Sequence, residues 1–161
     1  MSDSRNSRAN MTPVNPRMQL SRKIFAFCGF WLVALGAYFI FLRPALLQED
    51  PRFMGSSLEA IRLAVPGLEQ WLGHVFNVMG GFMVAAGLMT TLVACRLYAR
   101  SDIITFIALL ATGAVSVGLM SVTNFILNSN FRWILVVPVF LWLMGLVCYW
   151  RERVTCDAPK A

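Results

Sequence analysis

Residues 24–42 read IFAFCGFWLVALGAYFIFL, nineteen positions without one charged side chain. A bilayer core about 30 Å thick is crossed by a helix of about 20 apolar residues, so this run is long enough to span. Three further stretches share its character: 71–95, 103–127 and 133–150, none of which contains Asp, Glu, Lys or Arg. In hydrocarbon every backbone polar group must be satisfied within the spanning structure. The runs show no period-two alternation, which argues for helices and against barrel strands. The expected fold is an all-α membrane protein, an antiparallel four-transmembrane-helix bundle, with a short amphipathic helix in the first outer loop.

The first run is preceded by Arg22 and Lys23 and contains the small-x-small triplet Ala34-Leu35-Gly36, features shared with secretory signals. A signal's apolar region is usually about 7–15 residues. This run continues through Ala37 to Leu42, so a retained helix is expected.

Composition agrees. The chain of 161 residues is 58% hydrophobic and 14% charged, with 12 Phe, 5 Trp and 9 Met. Average soluble domains have about 45–50% apolar and about 25% charged residues. Lipid is therefore the expected solvent. Domain organisation follows: a basic polar tail at 1–23, a membrane domain at 24–150 and a second tail at 151–161, with one sizeable connection, 43–70.

That connection holds seven of the charged residues. Ser56-Ser57-Leu58-Glu59 matches a capping box in which Ser56 caps a helix and Glu59 reaches back. Leu58, Ile61 and Val65 then share one face, as in a helix lying at a membrane surface. Within 71–95, Gly73, Gly80 and Gly87 recur every seven residues and Gly81 precedes Ala85 by four. Small residues let helices approach in lipid. The second span is therefore expected to be central, with Gly80, Gly81 and Gly87 against neighbours. Thr105, Thr112, Ser116 and Thr123 form a stripe suited to hydrogen bonds between helices.

Orientation follows from Lys and Arg in the short connections. Arg5, Arg8, Arg17, Arg22, Lys23, Arg96, Arg100, Arg151, Arg153 and Lys160 fall on one side; Arg43, Arg52, Arg62 and Arg132 fall on the other. Both termini are expected in the cytoplasm. The formal charge of +6 is then accounted for by orientation, and no nucleic-acid partner is required. Cys28, Cys95, Cys148 and Cys156 form no CxxC pair and no Cys/His metal spacing, and are expected to be reduced packing residues.

Arg43-Pro44-Ala45-Leu46-Leu47 after the first span, and Met79-Gly80-Gly81-Phe82 followed by Gly87 in the second, resemble small bacterial inner-membrane proteins of the DoxX-like type and their uncharacterised relatives. The resemblance implies a compact four-helix unit over residues 24–150. It implies no particular activity.

Chemistry-bearing residues gather towards the expected outer end. His74 and Asn77 lie three apart near the start of the second span, and Asn124 reaches similar depth in the third. Arg43 and Arg132 mark span ends, with Glu49 and Asp50 in the connection between. The functional reading is an outward-facing polar pocket of Arg43, Glu49, Asp50, His74, Asn77, Asn124 and Arg132, able to take an anionic headgroup or small solute. The bland reading is that charges anchor span ends, and that Asn and His on bundle helices serve as glue. HExxH, GxSxG and phosphate-loop patterns do not occur, so no catalytic residue, metal or cofactor is expected. Two function classes follow. One is a structural or accessory membrane component binding another membrane protein, or a second copy of itself. The other is a small transporter, channel or lipid-binding unit.

Overall fold

The computed structural model describes residues 18–97 and 103–157, and the expectations for the 1–17 tail and for Cys156's side chain lie outside its described parts. Among the described residues the chain is helical throughout its long elements. α1 spans Met18–Phe41, α2 Glu49–Phe53, α3 Leu58–Ala64 and α4 Leu68–Leu92, the last continuing as a π-helical turn, Val93–Leu97. α5 (Ile103–Gly113), a second π-helical turn (Ala114–Gly118) and α6 (Leu119–Ile126) form one continuous rod, and α7 spans Arg132–Asp157. Four helical stretches are long and apolar enough to cross a membrane: Leu20–Phe41, Leu68–Cys95, Ile103–Ile126 and Arg132–Thr155.

α1 and α7 both run several residues past the uncharged runs. α1 already starts at Met18, inside what reads as a polar tail, and α7 continues to Asp157. The reason is a buried polar contact between these extensions. Ser21 Oγ donates to Glu152 Oε2 at 2.6 Å, and both residues are buried. A buried carboxylate is costly unless hydrogen-bonded, so the pair ties the two overhanging turns together.

The second span is not the centre of the molecule. α1 is central, packing most extensively on α4 and then on α7, and α7 in turn packs on the α5–α6 rod. The α1–α4 contact is made by glycines in register. A Cβ on Gly36 would lie 2.6 Å from the Gly80 carbonyl oxygen, and one on Gly87 would lie 2.5 Å from that of Gly29. The seven-residue spacing of Gly29 and Gly36 matches that of Gly80 and Gly87, so both close approaches fall on one seam. Gly81 departs from expectation: nothing lies within 4 Å of a Cβ built on it. One residue is about 100° around a helix, so Gly80 and Gly81 cannot both face the same neighbour.

The core lies between α1, α5 and α7. Trp142, Phe25, Tyr149, Leu32 and Val117 are its largest fully buried apolar side chains. Phe25 meets the Trp142 ring edge-on, with centroids 5.4 Å apart. The Trp142 ring lies against Gly113, where a Cβ has no room. Its indole N–H donates to the Leu109 carbonyl at 2.9 Å. One member of the expected hydroxyl stripe bonds within its own rod. Ser116 Oγ donates back to the Thr112 carbonyl of its own rod at 2.5 Å, a bond that competes with the helical ladder.

Outside that core the surface is apolar. Phe30, Phe41, Phe82, Ile104, Val115 and Phe140 are each at least two-thirds exposed. Soluble monomers rarely expose contiguous apolar patches beyond a few hundred Å². Here the four helices long enough to span expose apolar residues along their lengths, an arrangement suited to hydrocarbon.

Candidate functional site

The connection between α1 and α4 is folded onto one end of the helices. α3 is capped by Ser57, whose hydroxyl accepts from the Ala60 amide at 3.1 Å. The cap therefore sits one residue later than the capping-box reading placed it. Ser57 has the extended backbone a capping residue adopts (φ −101, ψ 155). α3 buries Ile61 and leaves Leu63 and Val65 exposed. Arg62 pairs with Glu69 at 2.9 Å in the open, a contact worth little to stability.

α2 makes the tertiary contact. Its first residue, Glu49, is buried and accepts from Ser129 Oγ at 2.6 Å and from the Asn130 amide at 3.4 Å. This carboxylate fastens the first connection to the turn between α6 and α7. That turn is built around Asn128, which has φ +50, a left-handed backbone that Asn tolerates better than most residues. Asp50 is occupied locally, accepting from the Leu47 amide at 2.8 Å.

The two halves of the expected pocket separate. Arg43 lies over the Phe76 ring, 3.6 Å from its centroid, with Phe39 5.2 Å away. Burial draws its guanidinium below the ordinary arginine value, against the opposing pull of Asp50, Tyr38 and Glu49. An aromatic seat with carboxylates nearby is a stable place for a cation, and arginine keeps its charge there. Asn124 does not reach into a shared pocket, since its amide nitrogen donates to the Met120 carbonyl of its own helix at 2.9 Å.

His74 and Asn77 face outward. Both are exposed, and neither side chain has a hydrogen-bond partner among the described residues. His74 shares a shallow apolar groove with Trp71, Val75 and Val78. The helix carries Gly81 and Ala85 along the same exposed strip, at seven and eleven residues from His74.

A second depression, of about 210 Å³, was not anticipated as a unit. It is lined by Arg52, Asn128, Ser129, Asn130, Arg132 and Trp133. Of the seven expected site residues only Arg132 lines it, with Glu49 fastening its floor through Ser129. Arg52 and the two asparagines were missed. The available signal was a cation in one loop and an Asn-Ser-Asn turn in another, which only folding brings together. Among the described residues no group of three or more His, Cys, Asp or Glu is placed to hold a metal. Cys28 is buried, Cys148 half-buried and Cys95 exposed, all as free thiols.

Comparison with protein-family models, curated proteins and solved structures finds no match to this chain.

Proposed function

We propose that the chain is a multi-pass protein of the bacterial inner membrane, an antiparallel four-helix unit of the DoxX-like kind. In this reading it is an accessory component that binds a second transmembrane element through α4. Support for the antiparallel arrangement comes from residue pairing. Gly29 meets Gly87 and Gly36 meets Gly80. Ser21 meets Glu152 while Phe25 meets Trp142. Phe106 stacks on Tyr149 while Phe125 meets Trp133. In each pairing one number rises as the other falls. The basic terminal side then faces the cytoplasm by the positive-inside rule, and the 43–70 connection faces out.

Asn77 carries the partner reading. It lies nine residues into α4, which at 1.5 Å per residue is roughly 13 Å along the axis. The spanning helix of 28 residues is roughly 42 Å long and overhangs a 30 Å hydrocarbon core by about 6 Å at each end. Asn77 is thus several ångströms inside hydrocarbon on an exposed face. An amide there lacks its hydrogen bonds and costs several kcal/mol on the order given by transfer to alkane. A partner helix removes that cost. Polar side chains and small residues are the two features that join helices in lipid, and His74, Asn77, Gly81 and Ala85 combine them on one strip. A solute path is less well supported, because Phe25, Leu32 and Trp142 fill the interior between α1 and α7.

A photoreactive phenylalanine analogue in place of Phe82 tests this in intact membranes. Phe82 is exposed beside the strip, and Phe140 on α7 is similarly exposed and serves as the control. The expected result is a discrete cross-linked species from position 82, absent from position 140 and lost on Asn77→Leu/Gly81→Leu. Its mass distinguishes a second copy from a different polypeptide. Lipid adducts alone at both positions would overturn the reading.

A further inference from the structure

We propose that the cleft between Arg52 and Arg132 is a binding site for a phosphate group, supplied by the headgroup of an anionic phospholipid at the membrane interface. This goes beyond the partner reading and uses a different face of the molecule.

The charge balance at this end of the helices favours an anion. Glu49 is turned to Ser129 and Asn130, and Asp50 to Leu47. Both carboxylates act on the charge of Arg43, which has its own seat over Phe76. Arg52 and Arg132 are left with no carboxylate within salt-bridge distance, since the ion pair among the described residues is Arg62 with Glu69. Arg132 has only a distant ring neighbour, Trp133, at 5.9 Å. Two arginines therefore line one concave site, and neither is held in a salt bridge.

Cleft chemistry suits a phosphate. Guanidinium forks match phosphate oxygens in bidentate geometry. Asn128 and Asn130 add amides to the lining, and neither side chain has a partner among the described residues. α7 begins at Arg132, so the positive end of its dipole lies at the same place. The cleft is also at the right depth. It sits where the apolar runs of the third and fourth spans end, and Trp133 forms one wall while remaining two-thirds exposed. An interfacial tryptophan marks headgroup level. Acyl chains of a lipid held there would lie along the exposed apolar side chains of Ile134 and Val137. The Glu49 carboxylate beneath the cleft opposes an anion, so binding depends on the two arginines together.

The test uses the full chain purified in mild detergent, with lipid retention read by native mass spectrometry and thermal melting as a second readout. Phosphatidylglycerol, phosphatidylcholine and inorganic phosphate are titrated separately. The expected result is retention of phosphatidylglycerol in preference to phosphatidylcholine, with affinity reduced about tenfold or more in Arg52→Gln/Arg132→Gln. Arg22→Gln/Lys23→Gln, exposed on the opposite end, should retain the lipid as the wild type does. Arg52→Lys/Arg132→Lys keeps the charge without the planar fork and should lie between; it also serves if the glutamine pair folds poorly. Stabilisation by inorganic phosphate with the same variant dependence, and none by phosphatidylglycerol, would keep the phosphate site and reassign its source to a soluble anion. Equal retention by the wild type and the Arg52/Arg132 variants would overturn the proposal.

Discussion

Gly87→Leu lowers the melting temperature of the purified chain sharply, and Gly81→Leu, six residues away on the same helix, leaves it unchanged. The difference comes from what each Cβ meets. At Gly87 it meets the backbone oxygen of Gly29 at 2.5 Å and the Val33 amide nitrogen at 2.8 Å. Neither is the end of a flexible side chain, so α1 and α4 must separate along the seam. In lipid that seam is held by close packing, because the hydrophobic effect offers little between helices. Overpacking a well-packed core costs about 1–3 kcal/mol, which for a chain of this size corresponds to roughly 3–10 °C. At Gly81 the added side chain enters open space. A circular-dichroism melt in one detergent compares the two. Equal melting of wild type and Gly87→Leu would mean that α1 and α4 do not meet on their glycines.

Trp142→Ala is expected to be more damaging, and Trp142→Phe to recover much of the loss. Trp142 is 2% exposed and touches α1 through Phe25 and the third span through Gly113 and Leu109. Truncation leaves a cavity where α1, α5 and α7 meet. In water-soluble cores Phe or Trp to Ala costs about 3–5 kcal/mol. The lower end applies here, because transfer between protein interior and lipid contributes little. About 3 kcal/mol corresponds to a fall on the order of 10 °C. Phenylalanine restores most of the volume but not the indole N–H bond to Leu109, a bond worth about 0.5–1.5 kcal/mol. The same melt, read by circular dichroism, gives the order wild type, Trp142→Phe, Trp142→Ala. Alanine melting at or above phenylalanine would show that Trp142 is not the wedge described.

Such packing effects mark the boundary of what the sequence discloses. The long uncharged runs disclose four helices long and apolar enough to span, because a chain built for water rarely goes about 18 residues without a charge, whereas hydrocarbon demands it. They do not disclose which face of a helix meets which neighbour. A helix apolar all round has no polar side to point at solvent. His74 and Asn77 were legible as polar residues near a span end, but whether they turn inward or outward depends on where α1 sits against α4. The glycines could have settled that. Gly29 and Gly36 repeat the seven-residue spacing of Gly80 and Gly87, and two matched repeats of small residues argue for a seam between their helices. Once Gly80 faces α1, Gly81 cannot, and the strip that continues from His74 faces away.

The cleft was less legible for a different reason. Arg52 and the Asn128–Arg132 turn lie about eighty positions apart, and the side chain joining their loops is Glu49, whose bond to Ser129 spans 80 residues. An acid in a connection ordinarily reads as solvated charge. The Ser21–Glu152 contact was hidden likewise: Arg151-Glu152-Arg153 has the look of a basic tail. Only the packing of α7 on α1 turns the middle residue inward.

The proposed topology has four spans, both termini in the cytoplasm and the 43–70 connection on the opposite side. Alkaline phosphatase fusions in a bacterial host test it most directly, because the enzyme is active only outside the cytoplasm. High activity is expected for a fusion after Ser57, and background activity for fusions after Arg100 and at the C-terminus. High activity of the C-terminal fusion would contradict the claim.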